Sequence, residues 1–306
     1  MKSEIGTKLG FVGIGTMGAP MVQCLVRAGY RPLLFDINHE AAQNVAVETG
    51  LEVIDSLPNL GRACDIVILM LPHSGIVRRV CLGEGADAPG LIDGLRPGAI
   101  IVDMSSSDPM ETRKLAPDLA QAGITLLDAP VSGGLRKAIA GTLSILLGGD
   151  DSAAVRRVTP ILETMGTAVL TGPLASGHAS KALNNYVSAA GLAAACEALI
   201  VGRRFGLNPE TLVDVLNVST GRNNSTENKL KQFVLNGAFR EAGFALGLMA
   251  KDVALAKSLS NDLGLDLPCL DKVSGLWSDA RVHLDKEADH TEIFSYLETL
   301  AERDGG

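Results

Sequence analysis

Short apolar runs alternate with helical patterns from residue 8 to about residue 170. Seven of these runs have the length of buried strands and end at turn or helix-start residues: KLGFVGI, RPLLFDI, CDIVILML, GAIIVDM, GITLLDA, LSILLGG and TAVLTG. Runs such as DIVILML are apolar at nearly every position, which is typical of parallel strands covered by helices on both faces. The pattern predicts a doubly wound, parallel α/β sheet.

The strand pattern stops near residue 180, and the remainder indicates helices separated by turn residues. A long Ala-rich stretch runs from Ser180 to Phe205 and stops at Gly206 and Pro209. The segment 166–176, which contains Gly172 and Pro173, is the candidate junction. We therefore predict two domains, an α/β domain over residues 1–172 and an all-helical domain over residues 173–306. A length of 306 residues suits two domains of about 150 residues each.

Composition narrows the class of function. The formal net charge is −8 and only 4% of residues are aromatic, so nucleic acid is not an expected partner. The five cysteines are scattered without close pairs, and the amino terminus resembles no export signal, so a cytoplasmic protein is expected. The longest apolar stretch follows Asn184 and Asn185 and is interrupted by Glu197, so no membrane span is predicted. Small-molecule or cofactor chemistry remains.

A glycine-rich loop follows the first predicted strand. Gly13, Gly15 and Gly18 have the GxGxxG spacing of a dinucleotide-binding turn and stand between a strand and a helical pattern. Gly13 would permit the tight turn, Gly15 would admit a pyrophosphate at the helix amino terminus, and Gly18 would allow close packing of helix on strand. An ordinary Gly-rich turn is the alternative. The intervening residues Ile14, Thr16 and Met17 complete the predicted cofactor loop.

The second predicted strand ends in Asp36, near the offset at which an acid meets the ribose 2′-hydroxyl of a dinucleotide. No Arg follows it to neutralise a 2′-phosphate, which favours NAD over NADP. A domain that binds NAD is therefore the prediction, although Asp36 taken alone could be a solvated strand end.

Two later strand ends add candidate cofactor contacts, because ligands of such sheets lie at the carboxyl ends of the strands. Leu71 and Pro72 could line the ribose region, and Ser105, Ser106 or Ser107 could hydrogen-bond the cofactor. Of the three serines, we choose Ser106 as the predicted cofactor contact. Capping of turns and helix starts is the simpler interpretation of these serines.

A hydroxyl and two glycines follow the fifth strand, in the segment DAPVSGG. Ser132 with the amides of Gly133 and Gly134 could form a nest for a substrate carboxylate, and a plain loop is the alternative. Arg222, in a turn rich in Gly, Asn and Ser, could recognise a carboxylate through two parallel hydrogen bonds, or it could simply be exposed.

The long helix opens with three polar residues in otherwise small and apolar surroundings. Asn184 and Asn185 lie three and four positions beyond Lys181, so the amine and two carboxamides share one face of the helix. Asparagine is a poor helix former, so two in succession suggest a function. A lysine facing a cleft could exchange a proton with a substrate.

Other polar residues carry weaker signals. Lys251 and Asp252 stand where a helix would hold a surface ion pair, unless a site recruits them. The five histidines show no metal-ligand spacing, so no metal site is predicted.

The ordered set FVGIGTMGAPM, LMLP, VDMSSSDP, DAPVSGG, SKALNNY and LMAKD resembles the β-hydroxyacid dehydrogenase family, which includes 3-hydroxyisobutyrate dehydrogenase and tartronate semialdehyde reductase. The resemblance implies a Rossmann domain, an all-α domain, one long helix joining them and a cleft between them. It also implies that Lys181 is the general acid/base, that Asn185 orients the substrate hydroxyl, and that Lys251 reaches the cofactor or substrate. Ser132, Gly133 and Gly134 would hold the substrate carboxylate.

The expected activity is NAD-dependent interconversion of a short β-hydroxyacid and its semialdehyde, in a homodimer or homotetramer as in family members. An inactive NAD-binding adaptor of the same fold is the alternative, and imine reductases of related architecture generally lack the lysine. Three positions depart from the family pattern: Ala175 replaces a frequent glycine, Ile76 a commonly polar residue, and Ser106 a frequent threonine.

Overall fold

The structure is a computed structural model, and it describes residues 7–85 and 88–303. The chain divides into two compact units, Met1–Lys181 and Ala182–Gly306, and the division falls within one continuous helix. The domain boundary expected at residues 172/173 stays a prediction.

Within its described residues, unit 1 holds one eight-stranded sheet, with a helix between most pairs of successive strands. Its strands are β1 (Leu9–Val12), β2 (Leu33–Phe35), β3 (Ile66–Leu69), β4 (Ile100–Asp103), β5 (Thr125–Asp128), β6 (Val131–Ser132), β7 (Leu143–Gly148) and β8 (Gly166–Gly172). Its helices are α1 (Gly18–Arg27), α2 (His39–Thr49), α3 (Leu57–Ala63), α4 (Ser74–Leu82), α5 (Pro109–Gln121), α6 (Gly134–Ala140) and α7 (Ser152–Leu162). A short 3₁₀ helix spans Leu91–Asp93.

The strand order β2-β1-β3-β4-β5 is parallel throughout, which confirms the doubly wound prediction for these strands. β7 differs, because it runs antiparallel to β5 and β6 in one register, with Asp128 opposite Gly148 and Ser132 opposite Ser144. The connection from β6 to β7 holds only the short helix α6, and a parallel crossover needs a dozen or more residues. Neither β6 nor this reversal of direction was predicted from the sequence.

Both faces of the sheet are covered, which explains the continuous apolar runs. In β3, Ile66 and Ile68 belong to the hydrophobic core on one face, and Val67 and Leu69 belong to the core on the other. All four side chains are fully buried. Because β1 to β5 are parallel, their carboxyl ends lie at one end of the sheet, where the loops that carry the candidate residues begin.

Unit 2 is helical. The helix α8 (Ser176–Phe205) begins in unit 1 and is followed by α9 (Pro209–Val218), α10 (Asn224–Asn228), α11 (Leu246–Asp262), α12 (Pro268–His283) and α13 (Ile293–Arg303). Short 3₁₀ or π turns lie at Leu230–Val234, Phe239–Ala242 and His290–Glu292.

By length and composition α8 could cross a membrane, a test that core helices of soluble proteins also pass. Leu192, Cys196 and Leu199 recur at helical spacing along it and are fully buried in the core of unit 2. We therefore interpret α8 as a core helix.

Candidate active site

The glycine loop lies between β1 and α1. Gly13 has a φ of +97°, and its amide donates to the carbonyl of Phe35 at 3.0 Å. A Cβ at Gly18 would overlap the carbonyl oxygen of Gly13 and lie 3.3 Å from the Phe11 ring. Gly13 therefore makes the tight turn, and Gly18 lets α1 pack directly on the preceding loop and strand.

Gly15 differs from the other two glycines, because a Cβ built there meets no atom within 4 Å. Gly15 and Thr16 are exposed and Met17 is half-buried, whereas the Ile14 side chain lies in the core and only its backbone belongs to the loop. The first turn of α1 has no acidic residue and no side-chain cap. An open glycine surface at an uncapped helix amino terminus fits the pyrophosphate of a dinucleotide.

Asp36 lies at the end of β2 and is joined to the glycine loop. Its carboxylate accepts the backbone N–H of Ile14 at 2.6 Å and that of Asn38 at 2.7 Å. The predicted ribose contact is therefore placed beside the predicted pyrophosphate site.

The loops after β3 and β4 are joined by a serine. The buried hydroxyl of Ser105 accepts the N–H of Leu71 at 2.9 Å, and the buried hydroxyl of Ser107 donates to Asp103 at 2.7 Å. Ser105 therefore holds the two loops together, and Ser107 holds the loop after β4 to the end of that strand. Ser106 is half-buried and Pro72 is exposed, and their predicted contacts with the cofactor stay predictions.

Lys181 reaches the segment that carries the predicted carboxylate nest. It is 8% exposed, and its Nζ donates to the carbonyl oxygen of Val131 at 2.9 Å. Val131 directly precedes Ser132, and Gly133 and Gly134 follow with φ of +132° and +67°. The structure therefore brings the amine, the serine and both glycines together within unit 1.

Asn185 lies one helical turn beyond Lys181 and is buried. Its Nδ2 donates to Asp252 at 2.6 Å, and its Oδ1 accepts from Nδ2 of the exposed Asn184 at 3.1 Å. Asp252 is 2% exposed, so the interpretation of Lys251 and Asp252 as a surface pair is wrong for the acid. Lys251 Nζ is 3.8 Å from Asp252.

Arg222 lies in the turn after α9, and its side chain is 64% exposed. Its Nε is 3.6 Å from a carboxylate oxygen of Glu227 in α10. Arg222 belongs to unit 2 and Lys181 to unit 1, and the predicted contact of Arg222 with a substrate stays a prediction.

A buried polar cluster at the start of α8 was not predicted from the sequence. Nδ1 of His178 lies 2.9 Å from the Thr112 hydroxyl and 3.7 Å from Asp128, and its Nε2 lies 3.6 Å from Asp103. Burial raises the pKa of Asp128, and His178 together with two backbone amides partly offsets that rise. Both acids lie at the ends of predicted strands, and this was the signal that could have revealed them.

Ala175 immediately precedes α8 and has a φ of +74°. Within residues 7–85 and 88–303 it is the one non-glycine residue with positive φ. The left-handed conformation disfavours side chains, which explains why glycine suits this position.

Two family models match consecutive parts of the chain. The model described as the NAD binding domain of 6-phosphogluconate dehydrogenase matches residues 8–172, and the model described as NAD-binding of NADP-dependent 3-hydroxyisobutyrate dehydrogenase matches residues 175–297. A 2-(hydroxymethyl)glutarate dehydrogenase of Eubacterium barkeri is 36% identical over 87% of this chain and 86% of its own length. The chain belongs to the β-hydroxyacid dehydrogenase family.

Two further relatives place this β-hydroxyacid dehydrogenase among enzymes matched over nearly their full length. The 3-hydroxyisobutyrate dehydrogenase of Pseudomonas aeruginosa is 33% identical over 96% of this chain and 98% of its own. The solved structure of the Mycobacterium tuberculosis 3-hydroxyisobutyrate dehydrogenase with L-serine has a TM-score of 0.86 at 31% identity, covering 95% of this chain and 99% of that one. The protein is therefore an oxidoreductase that uses a nicotinamide dinucleotide and acts on the CH–OH group of a hydroxyacid.

Proposed function

We propose that this β-hydroxyacid dehydrogenase uses NAD to interconvert a short-chain β-hydroxyacid and its semialdehyde or keto acid, with Lys181 as the general acid/base. The observation that carries the proposal is the buried Lys181 amine, hydrogen-bonded at 2.9 Å to the residue that precedes Ser132. This bond to Val131 orients the amine beside a loop whose serine and paired glycines suit a carboxylate.

The reaction divides between the cofactor and the chain. The glycine loop and Asp36 would hold the dinucleotide, which would supply the hydride acceptor for oxidation of the carbinol carbon and the hydride donor for the reverse reaction. Lys181 takes the hydroxyl proton during oxidation and returns it to the carbonyl oxygen during reduction. Asn185 orients the hydroxyl, because the bonds to Asp252 and Asn184 fix its carboxamide.

The carboxylate of the substrate is assigned to Ser132, Gly133 and Gly134. Gly133 and Gly134 carry no side chains and both have positive φ, so this loop brings bare backbone next to the Ser132 hydroxyl. We assign Arg222 and Asn184 to substrate recognition and Lys251 to the cofactor as further parts of the proposal. The relative solved with L-serine, itself a β-hydroxyacid, supports this class of substrate.

The test measures turnover of 3-hydroxyisobutyrate, glycerate, serine and 4-hydroxybutyrate, monitored by the absorbance of the NADH that forms. Lys181→Ala should lower kcat at least about 10²-fold and keep the affinity for NAD, since it removes the proton acceptor alone. Lys114→Ala is the control, because that lysine is exposed and pairs with Glu111. NAD binding without turnover on any substrate would favour the inactive adaptor.

The preference for NAD rests on Asp36, which ends β2 beside the glycine loop without a neighbouring arginine. Asp36→Ala should weaken NAD binding more than NADP binding, because the carboxylate accepts from the ribose 2′-hydroxyl and repels a 2′-phosphate. Titration calorimetry with both dinucleotides measures the ratio of their dissociation constants. An unchanged ratio would contradict the assignment.

We also propose a cytoplasmic homodimer or homotetramer. Support for assembly comes from apolar side chains of α8 that are exposed in the single chain, among them Val187, Val201 and Phe205 at 66, 69 and 82%. All five cysteines are free thiols, which suits a reducing compartment. Sedimentation velocity measures the assembly, and a monomer at micromolar concentration would contradict it.

A further inference from the structure

Asp128 joins the end of β5 to the start of α8 through two hydrogen bonds. Its Oδ1 accepts the N–H of Ala175 at 2.7 Å, and its Oδ2 accepts the N–H of His178 at 2.8 Å. The first amides of a helix have no intrahelical acceptor. Ala175 has no side-chain acceptor for them, so a carboxylate about fifty residues earlier in the chain takes this role.

The same two segments are joined a second time. Lys181 lies three residues beyond His178, and its amine donates to Val131, which lies three residues beyond Asp128. One turn of α8 and three residues after β5 are thus closed into a ring by hydrogen bonds at both ends. A shift of the helix start relative to β5 would therefore move the amine away from Ser132 and its glycines.

Two features of the structure around Asp128 cost free energy. The carboxylate is fully buried, and Ala175, which it bonds, keeps a left-handed backbone that an alanine adopts only at an energetic penalty. A metal does not explain the cluster, because no group of three His, Cys, Asp or Glu in the described part of the chain could hold an ion. An ordinary capping role would not require the second connection through Lys181.

We propose that Asp128 is a positioning residue for Lys181: its carboxylate fixes the first turn of α8 against the end of β5 and so keeps the amine at the substrate loop. The proposal rests on the proposed function of Lys181 as the general acid/base. Asp128 itself touches neither substrate nor cofactor in this assignment. It acts through the backbone of α8.

The experiment is a double-mutant cycle with the full chain: wild type, Asp128→Asn, Lys181→Ala and the double variant. The replacement amide is isosteric with the carboxylate, keeps one acceptor oxygen and loses the other. In the wild-type background D128N should lower kcat at least about 10-fold, with the KM for hydroxyacid and the Kd for NAD changed less than about 3-fold. In the K181A background D128N should change kcat less than about 2-fold, since the group it positions is gone.

Asp151→Ala is the matched control. Asp151 caps α7 through the amides of Ala153 and Ala154 at 2.8 and 3.1 Å, so its removal takes away contacts of the same kind elsewhere in unit 1. It should leave kcat within about 2-fold of wild type. Should D128N fail to fold, Asp128→Glu enters the same cycle, because it keeps both acceptor oxygens and moves them by one methylene.

Each outcome decides between the two proposals. A fall in kcat of equal size in both backgrounds, or no fall in either, would overturn the positioning role and leave the function of Lys181 intact. Undiminished turnover of K181A alone would instead overturn the proposed function, and the positioning role with it. A fall confined to the background that contains Lys181 supports both.

Discussion

The glycines of the β1–α1 loop face different surroundings, and their replacement by alanine separates folding from cofactor binding. At Gly18 the new Cβ would overlap the carbonyl oxygen of Gly13, so α1 must move away from the strand. Overpacking of this kind costs about 1–3 kcal/mol, against a gain in helix propensity of up to about 1 kcal/mol. Gly18→Ala should therefore destabilise unit 1 by up to about 2 kcal/mol.

Gly15→Ala should behave in the opposite way. The new methyl group meets no protein atom within 4 Å, and φ at Gly15 lies outside the positive region. The free energy of unfolding should stay constant or rise by up to about 1 kcal/mol, because alanine restricts the unfolded chain. The methyl group would nevertheless occupy the surface assigned to the pyrophosphate, so NAD binding should weaken at least about 10-fold, or about 1.4 kcal/mol.

Urea denaturation without cofactor measures stability, and titration calorimetry measures the dissociation constant for NAD. The assignment of the loop requires G15A to lose affinity and keep stability, and G18A to lose stability. If G15A binds NAD as tightly as wild type, the pyrophosphate lies elsewhere. If G18A is as stable as wild type, the packing argument is wrong.

Two further predictions concern titratable groups. Cys269 is exposed, whereas the other four cysteines are buried and burial raises the pKa of their thiols, to about 12 for Cys64 and Cys196. A maleimide should therefore label one thiol per native chain, and Cys269→Ser should abolish that labelling. Burial tends to raise the pKa of Asp289, but hydrogen bonds from His290 and Thr291 and the charge of His290 outweigh burial and lower it, so the stability advantage of wild type over Asp289→Asn should shrink as pH falls below about 4. The pKa of Asp128 is raised instead, so the stability advantage of wild type over Asp128→Asn should shrink as pH rises above about 4. Urea midpoints across pH test both signs, and a pH-independent difference would contradict them.

Local pattern was sufficient for much of the fold. The parallel strands are apolar on both faces because both faces are covered, and this needs no knowledge of the partners. The roles of Gly13 and Gly18 also follow from spacing, since a tight turn and a close helix are properties of a few adjacent residues. That Lys181 and Asn185 lie on one face of α8 follows from helix geometry alone.

The features that were missed depend on distant partners. The direction of β7 leaves no mark in its own sequence, and only the short connection after β6 indicates it. Asp252 follows a lysine in a helix and resembles a surface acid, yet it is buried and accepts from Asn185, 67 residues earlier. Asp128 is similar, since its acceptor role is defined by α8 and not by its neighbours.

The left-handed turn at Ala175 limits which amino acids this position can accept. The residue is 1% exposed, so polarity alone would admit valine or isoleucine as readily as alanine. Their branched side chains are almost excluded at a φ of +74°, whereas glycine takes that conformation freely. Natural variation at this site should therefore be filtered by backbone handedness, and a D-amino acid placed there by chemical synthesis should fit better than its L-enantiomer.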